Sequence, residues 1–271
     1  MEVKNLSWDS MTARSNHKLL PKNVRGLIVG KSGCGKTTLL LNLLLNPGWL
    51  DYNKLFVFSK SLFQPEYQVL RKAMEHKLPK EAILWLFDNQ RDIRSKSGLT
   101  IDEFIECMSA ELHSRSKGPE EMRDTSNIDC YFFENSEDVP DPKQLNPEDK
   151  NLMVFDDLLL EKQNACEKYY ARGRHSNVDC FYLSQNYFKL PRQTIRENTN
   201  FICLFRQDLK NMNHLYSDHA SSDMKPEEFR DMCKKIWGGP HDFTVIDLTR
   251  DKDVGKYRKC FDEFYLPTTP N

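Results

Sequence analysis

The chain has 271 residues, enough for one large α/β domain or for a domain with a small appendage. Its 39 lysines and arginines offset 40 aspartates and glutamates, and this net charge of −1 argues against a protein coated in basic surface that wraps nucleic acid. Met1–Arg14 lacks the apolar core of a secretory leader, and Leu39–Leu45, the longest apolar stretch, is far shorter than the ~20 residues of a membrane span. With eight cysteines and no CxxC pair, we expect a soluble intracellular protein without a zinc site.

Short apolar runs alternate with helical patterns along the chain. This alternation predicts an α/β fold with a mostly parallel central sheet and helices on both of its faces. Continuous apolar runs indicate strands that are buried on both faces, as parallel sheets require. The predicted strands are Val24–Val29, Lys54–Phe58, Leu152–Phe155, Val178–Ser184 and Phe201–Phe205, with Phe243–Leu248 as a late edge strand.

Helices are predicted between these strands. Thr37–Leu45 is apolar almost all round and should be buried, and Thr100–Ser114 opens with a capping box formed by Thr100 and Glu103. Residues 62–150 are expected to form a variable helical and acidic insertion, whose last part is a solvated excursion or a docking segment for a partner. We predict an N-terminal extension, 1–20, followed by one domain, 21–271.

The segment Gly30–Thr37 has the sequence GKSGCGKT and matches the phosphate-binding pattern G-x-x-x-x-G-K-[ST] in full. Glycines let backbone N–H groups turn inward around an anion, and the following helix adds its positive N-terminal end. We expect Lys36 to reach the β- and γ-phosphates of ATP and the Thr37 hydroxyl to bind Mg²⁺. The predicted nucleotide-binding residues are Gly30, Lys31, Ser32, Gly33, Cys34, Gly35, Lys36, Thr37 and Thr38.

Two carboxylates follow directly after the apolar run Leu152–Phe155. Ligands of an open parallel sheet bind at the carboxyl ends of its strands, so Asp156 and Asp157 should lie at the same edge as the phosphate loop. We assign Asp156 to the Mg²⁺ ion and Asp157 to polarising the attacking water. The alternative is that both acids cap the next helix.

The strand Val178–Ser184 has polar groups at both ends. One predicted strand, Lys54–Phe58, lies between the phosphate loop and the two carboxylates in the sequence. This spacing fits P-loop enzymes in which the strand of the catalytic acid is third and the fourth strand inserts between it and the first. Gln185, at the carboxyl end, should then contact the γ-phosphate or the attacking water. Arg172 and Arg174, before the other end, could reach only the γ-phosphate of a neighbouring subunit, unless they form a solvated basic turn.

Five segments resemble the DNA-packaging ATPases of large and mid-size DNA viruses and polinton-like elements, the poxvirus-type branch of the FtsK–HerA superfamily. The segments are GKSGCGKT, VFDD, ARGRHSNVDCFYLSQ, NYFKLPRQTIRENTNFICLF and DFTVIDLTRDKDVGKYRKCFDEFY. The resemblance covers roughly residues 20–60 and 150–265. It implies a hexameric ring motor that pumps double-stranded DNA into a preformed capsid with ATP and Mg²⁺, in an infected host cell or a virion.

The resemblance also carries over residue roles. Its Walker A motif falls on Gly30–Thr37, its Walker B motif on Leu152–Asp157, its sensor glutamine on Gln185, and its arginine finger on Arg174, with Arg172 second. Many relatives in the wider superfamily end the Walker B motif with Asp-Glu, whereas this chain has two aspartates. The shorter side chain of Asp157 leaves open whether it positions water directly.

Two groups of basic residues are candidates for contacts with DNA phosphates, although a basic helix face is often merely solvated. The first group is Lys189, Arg192, Arg196, Arg206 and Lys210, and the second is Lys252, Lys256, Arg258 and Lys259. Two other classes stay open. A monomeric small-molecule kinase would need an arginine-rich lid, which 62–150 does not clearly supply. The other class is a nucleotide-gated switch, although this chain lacks the Asn-Lys-x-Asp element on which guanine specificity usually depends.

Overall fold

The alternation of apolar runs and amphipathic segments produces one sheet flanked by helices. The computed structural model describes residues 12–115 and 128–267. Within these ranges the strands are β1 (Arg25–Val29), β2 (Lys54–Ser59), β3 (Asp129–Phe133), β4 (Asn151–Asp156), β5 (Val178–Ser184), β6 (Phe201–Phe205), β7 (Phe243–Asp247), β8 (Tyr257–Lys259) and β9 (Glu263–Tyr265). The helices are α1 (Lys36–Leu45), α2 (Pro65–Glu75), α3 (Lys80–Ser97), α4 (Ile101–Arg115), α5 (Asn164–Arg172), α6 (Leu209–His219) and α7 (Pro226–Ile236). No helix within these ranges combines the length and the apolar composition that crossing a bilayer demands.

The sheet has nine strands in the order β3-β2-β4-β5-β1-β6-β7-β8-β9. The first six in this order are parallel to one another, whereas β7, β8 and β9 are each antiparallel to the preceding strand. Strand β5 lies between β1 and β4, as the sequence predicted. The mostly parallel α/β fold with an inserted fourth core strand is therefore confirmed.

Parallel pairing brings the carboxyl ends of the central strands level with one another. Val29 at the end of β1 pairs with Ser184 of β5, and Asp156 at the end of β4 pairs with Leu183 of β5 and with Ser59 of β2. The chain segments that follow β1, β2, β4 and β5 consequently all leave the sheet at the same edge.

Alternate residues of each buried strand pack on opposite faces of the sheet. In β4, Leu152 and Val154 belong to the core that contains leucines of α1 and apolar residues of α2, α3 and α4. Met153 and Phe155 belong to the second core, which contains apolar residues of α5, α6 and α7. Helices therefore cover both faces, and this explains why the core strands are continuously apolar in sequence.

Two expectations about the sheet were wrong. Phe243–Leu248 was predicted to form an edge strand, but β8 and β9 extend the sheet beyond β7. The acidic region before β4 was predicted to be a solvated excursion, yet it contains β3, which pairs in parallel with β2. Strand β3 forms the edge of the sheet and is only partly buried, so its sequence lacks the fully apolar character of the inner strands. The rest of that prediction falls partly on residues 116–127, which lie outside the described ranges.

The predicted capping box of α4 is confirmed. The backbone N–H of Thr100 donates to the Glu103 carboxylate at 2.8 Å, and the backbone N–H of Glu103 donates to the Thr100 hydroxyl at 3.2 Å. Two N–H groups that have no partner within the helix are thereby satisfied.

Residues 12–20 of the predicted N-terminal extension are tied to the amino end of the sheet. Arg14, whose side chain is 2% exposed, forms an ion pair with Asp179 at 3.5 Å. Its guanidinium also donates to the backbone carbonyls of Asp51, Asn151 and Asn177, which lie near the starts of β2, β4 and β5. Residues 1–11 lie outside the described ranges, so the division into an extension and one domain stays a prediction.

Candidate functional site

The loop between β1 and α1 has a conformation that depends on its glycines. Gly35 has a φ of 105°, in the left-handed region that side chains strain, and it immediately precedes α1. At Gly30, an added Cβ would lie 2.3 Å from the Cys34 sulfur and 2.8 Å from the Phe205 Cβ, so only glycine fits. The loop is therefore shaped by backbone constraints.

The N-terminus of α1 is suited to an anion. Gly35 offers no capping side chain, and the first turn of the helix contains no acidic residue that would neutralise the helix dipole. The Lys36 ammonium group donates to the carbonyl oxygens of Gly30 at 2.8 Å and of Lys31 at 3.0 Å, so it lies across the loop. Backbone N–H groups, the helix end and one ammonium group thus combine at this position.

Asp156 and Asp157 are held by hydroxyl groups from another part of the chain. Asp156 is 7% exposed, and its Oδ2 accepts a hydrogen bond from the Tyr67 hydroxyl at 2.7 Å. Burial raises the pKa of Asp156 to about 6, against the opposing effects of the Tyr67 hydrogen bond and the nearby charge of Lys36. Asp157 has a φ of 56°, and its Oδ2 accepts a hydrogen bond from the Ser61 hydroxyl.

A cavity of about 130 Å³, called here the polar cavity, brings these groups together. Its lining residues are Ser32, Gly33, Lys36, Thr37, Gln64, Asp156, Asp157, Leu159, Leu183 and Gln185. One space is consequently lined by the predicted phosphate-binding, magnesium-binding and water-orienting residues. They are Lys36, Thr37, Asp156, Asp157 and Gln185. The shared strand edge explains this convergence, because the segments that carry them follow β1, β4 and β5.

A second, mainly apolar cleft of about 400 Å³ adjoins the phosphate loop at Gly35 and Thr38. Its other lining residues are Leu39, Asn42, Leu43, Asn46, Trp49, Phe205, His241, Phe243, Cys260, Phe261 and Asp262. The imidazole Nδ1 of His241 lies 3.3 Å from the carbonyl oxygen of Cys34, to which it can donate. We call this space the apolar cleft. Sequence reasoning missed it because its walls come from segments that are far apart in the chain.

The remaining predicted site residues lie at differing distances from the polar cavity. Lys31 is exposed within the loop, and Thr38 faces the apolar cleft. Cys34 is half-buried, and burial raises the pKa of its thiol, which fits a packing residue and not an activated thiolate. Arg172 and Arg174 are both exposed and precede the amino end of β5, so a strand of seven residues separates them from the edge where the polar cavity lies.

Most of the basic residues in the two predicted DNA-binding groups are paired with other residues of the chain and do not form a free basic surface. Arg258 is completely buried against Asp247, and Arg196 is buried against Asp218. Lys256 pairs with Asp223 at an N–O distance of 2.5 Å. These three cations stabilise the fold and cannot serve as DNA contacts in this conformation, which corrects that expectation.

The remaining cations differ in their surroundings. Arg206 donates to the Trp237 carbonyl. Arg192 and Lys259 pair with acidic neighbours, and Lys252 is only partly exposed. Lys189 and Lys210 are exposed near the carboxyl end of β5, where the ammonium group of Lys210 lies 4.0 Å from the centre of the Phe188 ring. Lys189 and Lys210 are consequently the better candidates for phosphate contacts.

Sequence reasoning also missed three polar residues that follow β2. Ser61 contacts Asp157, and Tyr67 contacts Asp156. Gln64 lines the polar cavity. The rule that located Asp156 applies equally to β2, since polar side chains after its carboxyl end must reach the same edge. That signal could have identified Ser61, whereas the contact of Tyr67 depends on how α2 packs.

No protein-family model matches the sequence, and no curated protein matches it. Solved structures that are similar to this chain include B204, VirB4 and TrwB. The genome packaging NTPase B204 from Sulfolobus turreted icosahedral virus 2 has 8% identity over 85% of this chain and 95% of that chain, and a TM-score of 0.44. VirB4 of Thermoanaerobacter pseudethanolicus has 10% identity over 97% and 98% of the two chains, and a TM-score of 0.46. The bacterial conjugative coupling protein TrwB has 14% identity over 91% and 86%, and a TM-score of 0.42. At such low identities and TM-scores, the P-loop fold of this chain rests on its strand order and its phosphate loop.

Proposed function

We propose that the chain binds ATP·Mg²⁺ and hydrolyses the terminal phosphate. The observation that carries this proposal is the polar cavity, which combines an anion-binding loop, a lysine, two carboxylates and a glutamine. The triphosphate occupies the polar cavity, where Lys36 contacts the β- and γ-phosphates. The ribose and the base extend past Thr38 into the apolar cleft, whose aromatic walls suit a planar ring.

The oxygen groups at the site fit Mg²⁺. Magnesium in phosphate sites is usually held by one or two carboxylates together with phosphate oxygens and water, and not by an all-protein cage. The Thr37 hydroxyl and the Asp156 carboxylate supply such hard oxygen donors, and both residues line the polar cavity. The ion would neutralise negative charge on the phosphate oxygens.

The side chains of the chain itself divide the remaining work. Lys36 stabilises charge that develops on the transferred phosphoryl group, and the loop N–H groups hold the phosphates in place. Asp157 and Gln185 flank the space where a water molecule would attack. Both side chains orient this water by hydrogen bonds, and the Asp157 carboxylate accepts its proton. Asp157 is held for this task by Ser61.

Lys36→Ala is the direct test. The variant should bind ATP weakly and release no phosphate. Its melting temperature should stay near that of the wild type because, among the described residues, the Lys36 ammonium group donates only to the Gly30 and Lys31 carbonyls, both within the loop. Lys22→Ala, which removes an exposed lysine that does not line the polar cavity, is the matched control. Phosphate release by Lys36→Ala at the wild-type rate would contradict the proposed function.

We further propose that hydrolysis drives movement of double-stranded DNA and packages a viral genome into a capsid, in an infected cell or a virion. The resemblance of residues 20–60 and 150–265 to packaging ATPases supports this proposal. The protein would act as a homo-oligomeric ring, with six subunits, and would contact capsid proteins. Phe63 and Leu160 are the chain neighbours of Gln64 and Leu159, which line the polar cavity. They are 76% and 95% exposed, and such apolar side chains favour contact with a neighbouring subunit.

The translocase proposal has a simple biochemical signature. ATP turnover per subunit should rise when long double-stranded DNA is added, and it should rise with protein concentration as rings assemble. Lys189→Glu together with Lys210→Glu should reduce the response to DNA and leave basal turnover unchanged, because both lysines lie outside the polar cavity. A monomeric kinase would show neither dependence, and that result would overturn the motor assignment while keeping the nucleotide site.

A further inference from the structure

The segment that follows β2 forms a third wall of the polar cavity. Ser59, the last residue of β2, pairs with Asp156 in the sheet, so the chain leaves β2 directly beside the carboxylates. The backbone N–H of Ser61 donates to the Ser59 hydroxyl at 2.9 Å and fixes the turn. Gln64 then lines the cavity, and α2 begins at Pro65. We call Ser59–Tyr67 the β2–α2 segment.

Tyr67 contacts Asp156 from within this wall. Its side chain is 1% exposed and lies in the first turn of α2, which packs in the core beneath the sheet. The phenol keeps its proton because burial raises its pKa well above the usual value, and the Asp156 charge adds to this effect. The hydroxyl is therefore a permanent donor, and it occupies Oδ2 of a carboxylate that is otherwise nearly cut off from water.

Ser61 performs the equivalent task for Asp157. It is 3% exposed, and its hydroxyl donates to Oδ2 of Asp157. Asp157 adopts the left-handed backbone conformation that non-glycine residues rarely adopt, which costs roughly 1 kcal/mol or more unless neighbouring contacts hold it. The hydrogen bond from Ser61 supplies such a contact and fixes the side chain as well.

We propose that Tyr67 and Ser61 are positioning residues, each of which holds one oxygen of an aspartate so that the other oxygen faces the polar cavity. Tyr67 orients Asp156 towards the cation, and Ser61 orients Asp157 towards the attacking water. This inference rests on the proposed ATP·Mg²⁺ hydrolysis and deepens it, because it places the control of both carboxylates in the β2–α2 segment. Partners that orient metal ligands commonly change metal affinity 10–100-fold when they are removed.

The test uses a matched pair of tyrosine variants. Tyr67→Phe removes the hydroxyl that contacts Asp156. Tyr169→Phe removes the hydroxyl of a tyrosine that is also 1% exposed and that donates to the carbonyl of Pro140 instead. Binding of Mn²⁺ in the presence of ADP is followed by the electron paramagnetic resonance signal of the free ion. Tyr67→Phe should bind Mn²⁺ about 10-fold more weakly, with unchanged ADP binding in EDTA, whereas Tyr169→Phe should match the wild type.

Ser61 variants provide a second measurement. Ser61→Ala should keep Mn²⁺ and ADP binding but lower the rate of ATP hydrolysis about 10-fold, because Asp157 loses its orientation and not its charge. Ser61→Thr retains a hydroxyl and should recover most of this rate. A rate loss that Ser61→Thr shares in full would show that packing matters and not the hydrogen bond.

The outcomes separate this inference from the proposed function. Equal Mn²⁺ affinity in folded Tyr67→Phe and in the wild type overturns the role of Tyr67, and so does a loss of affinity that Tyr169→Phe shares. A wild-type protein that binds Mn²⁺ and ADP but never hydrolyses ATP overturns the proposed function, while the comparison of Tyr67→Phe with Tyr169→Phe still decides the orientation of Asp156. Absence of Mn²⁺ binding in the wild type overturns both.

Discussion

Asp156 illustrates how a single buried carboxylate is prepared for a ligand. A charge that is removed from water is costly unless it is paired, and the Tyr67 hydroxyl, the nearby Lys36 charge and the backbone N–H of Asp157 offset the burial of Asp156 only in part. The result is a pKa of about 6, which means that the folded chain destabilises the ionised form of Asp156. A cation bound at Asp156 would relieve this cost, so burial and metal binding support each other.

Asp157→Asn should separate ATP binding from hydrolysis. Asparagine tolerates the left-handed conformation that Asp157 adopts, so the variant removes the charge with little added strain. Because Asp157 is proposed to accept the proton of the attacking water, hydrolysis should fall by about 10²-fold or more while ATP still binds. Single-turnover phosphate release and equilibrium ATP binding measure the two effects, and normal turnover would remove Asp157 from the mechanism.

Gln185→Ala and Gln64→Ala form a natural comparison, since both side chains line the polar cavity. Gln185 directly follows β5, the strand between β1 and β4, and the resemblance to packaging ATPases assigns the sensor role to this position. We expect Gln185→Ala to lower the rate of hydrolysis at least 10-fold, and Gln64→Ala to change it much less. Steady-state kinetics at saturating ATP decide the matter, and a larger effect from Gln64→Ala would transfer the sensor role to the β2–α2 segment.

At the scale of elements, continuous burial decided which strands could be predicted from the sequence. Strands β4 and β5 are buried along their whole length, and their apolar runs gave both the strand order and the positions of Asp156 and Gln185. Strand β3 pairs on one side only and is partly exposed, so its pattern was lost within acidic surroundings. Contacts such as that of Tyr67 with Asp156, 89 residues apart, follow from helix packing, which no local pattern encodes.

The end of α6 carries a buried polar network with a predictable response to pH. The Nε2 atom of His219 lies 2.8 Å from the Tyr187 hydroxyl, which also donates to Asp218 at 2.9 Å. Burial lowers the pKa of His219 from 6.5 to about 4; Lys256 and Arg196 lower it further, and Asp218 partly opposes them. The folded chain therefore binds a proton less readily than the unfolded chain, and stability should be full above pH 6.5 and fall as the pH drops towards 4.

His219→Gln should reduce this acid sensitivity. Glutamine can place its amide near the Tyr187 hydroxyl but does not titrate, so the loss in the free energy of unfolding between pH 7 and pH 5 should be smaller by about 1–2 kcal/mol. Urea denaturation at the two pH values measures the difference. His175→Gln, which removes an exposed imidazole, is the control. An identical pH dependence in His219→Gln and the wild type would contradict the assignment.

At the scale of the whole molecule, the two ends of the parallel sheet have different chemistry. The carboxyl end carries the polar cavity, whereas the amino end carries Arg172 and Arg174 and is bound together by the contacts of Arg14. A strand of the length of β5 spans roughly 20 Å, farther than an arginine side chain extends. An arginine at the amino end can therefore complete a phosphate site only when a second subunit brings it there.

Mixed assemblies test this geometry. Arg174→Ala alone should lose hydrolysis by about 10³-fold if it supplies an arginine finger in trans, and Lys36→Ala alone should be inactive for lack of phosphate binding. In a mixture, a Lys36→Ala subunit can present its intact Arg174 to the intact phosphate loop of an Arg174→Ala neighbour, so part of the activity should return. Arg172→Ala in place of Arg174→Ala identifies which arginine acts, because only the true finger variant is both inactive and rescued. If neither Arg174→Ala nor Arg172→Ala recovers activity in mixtures shown to co-assemble, neither arginine acts on a neighbouring subunit.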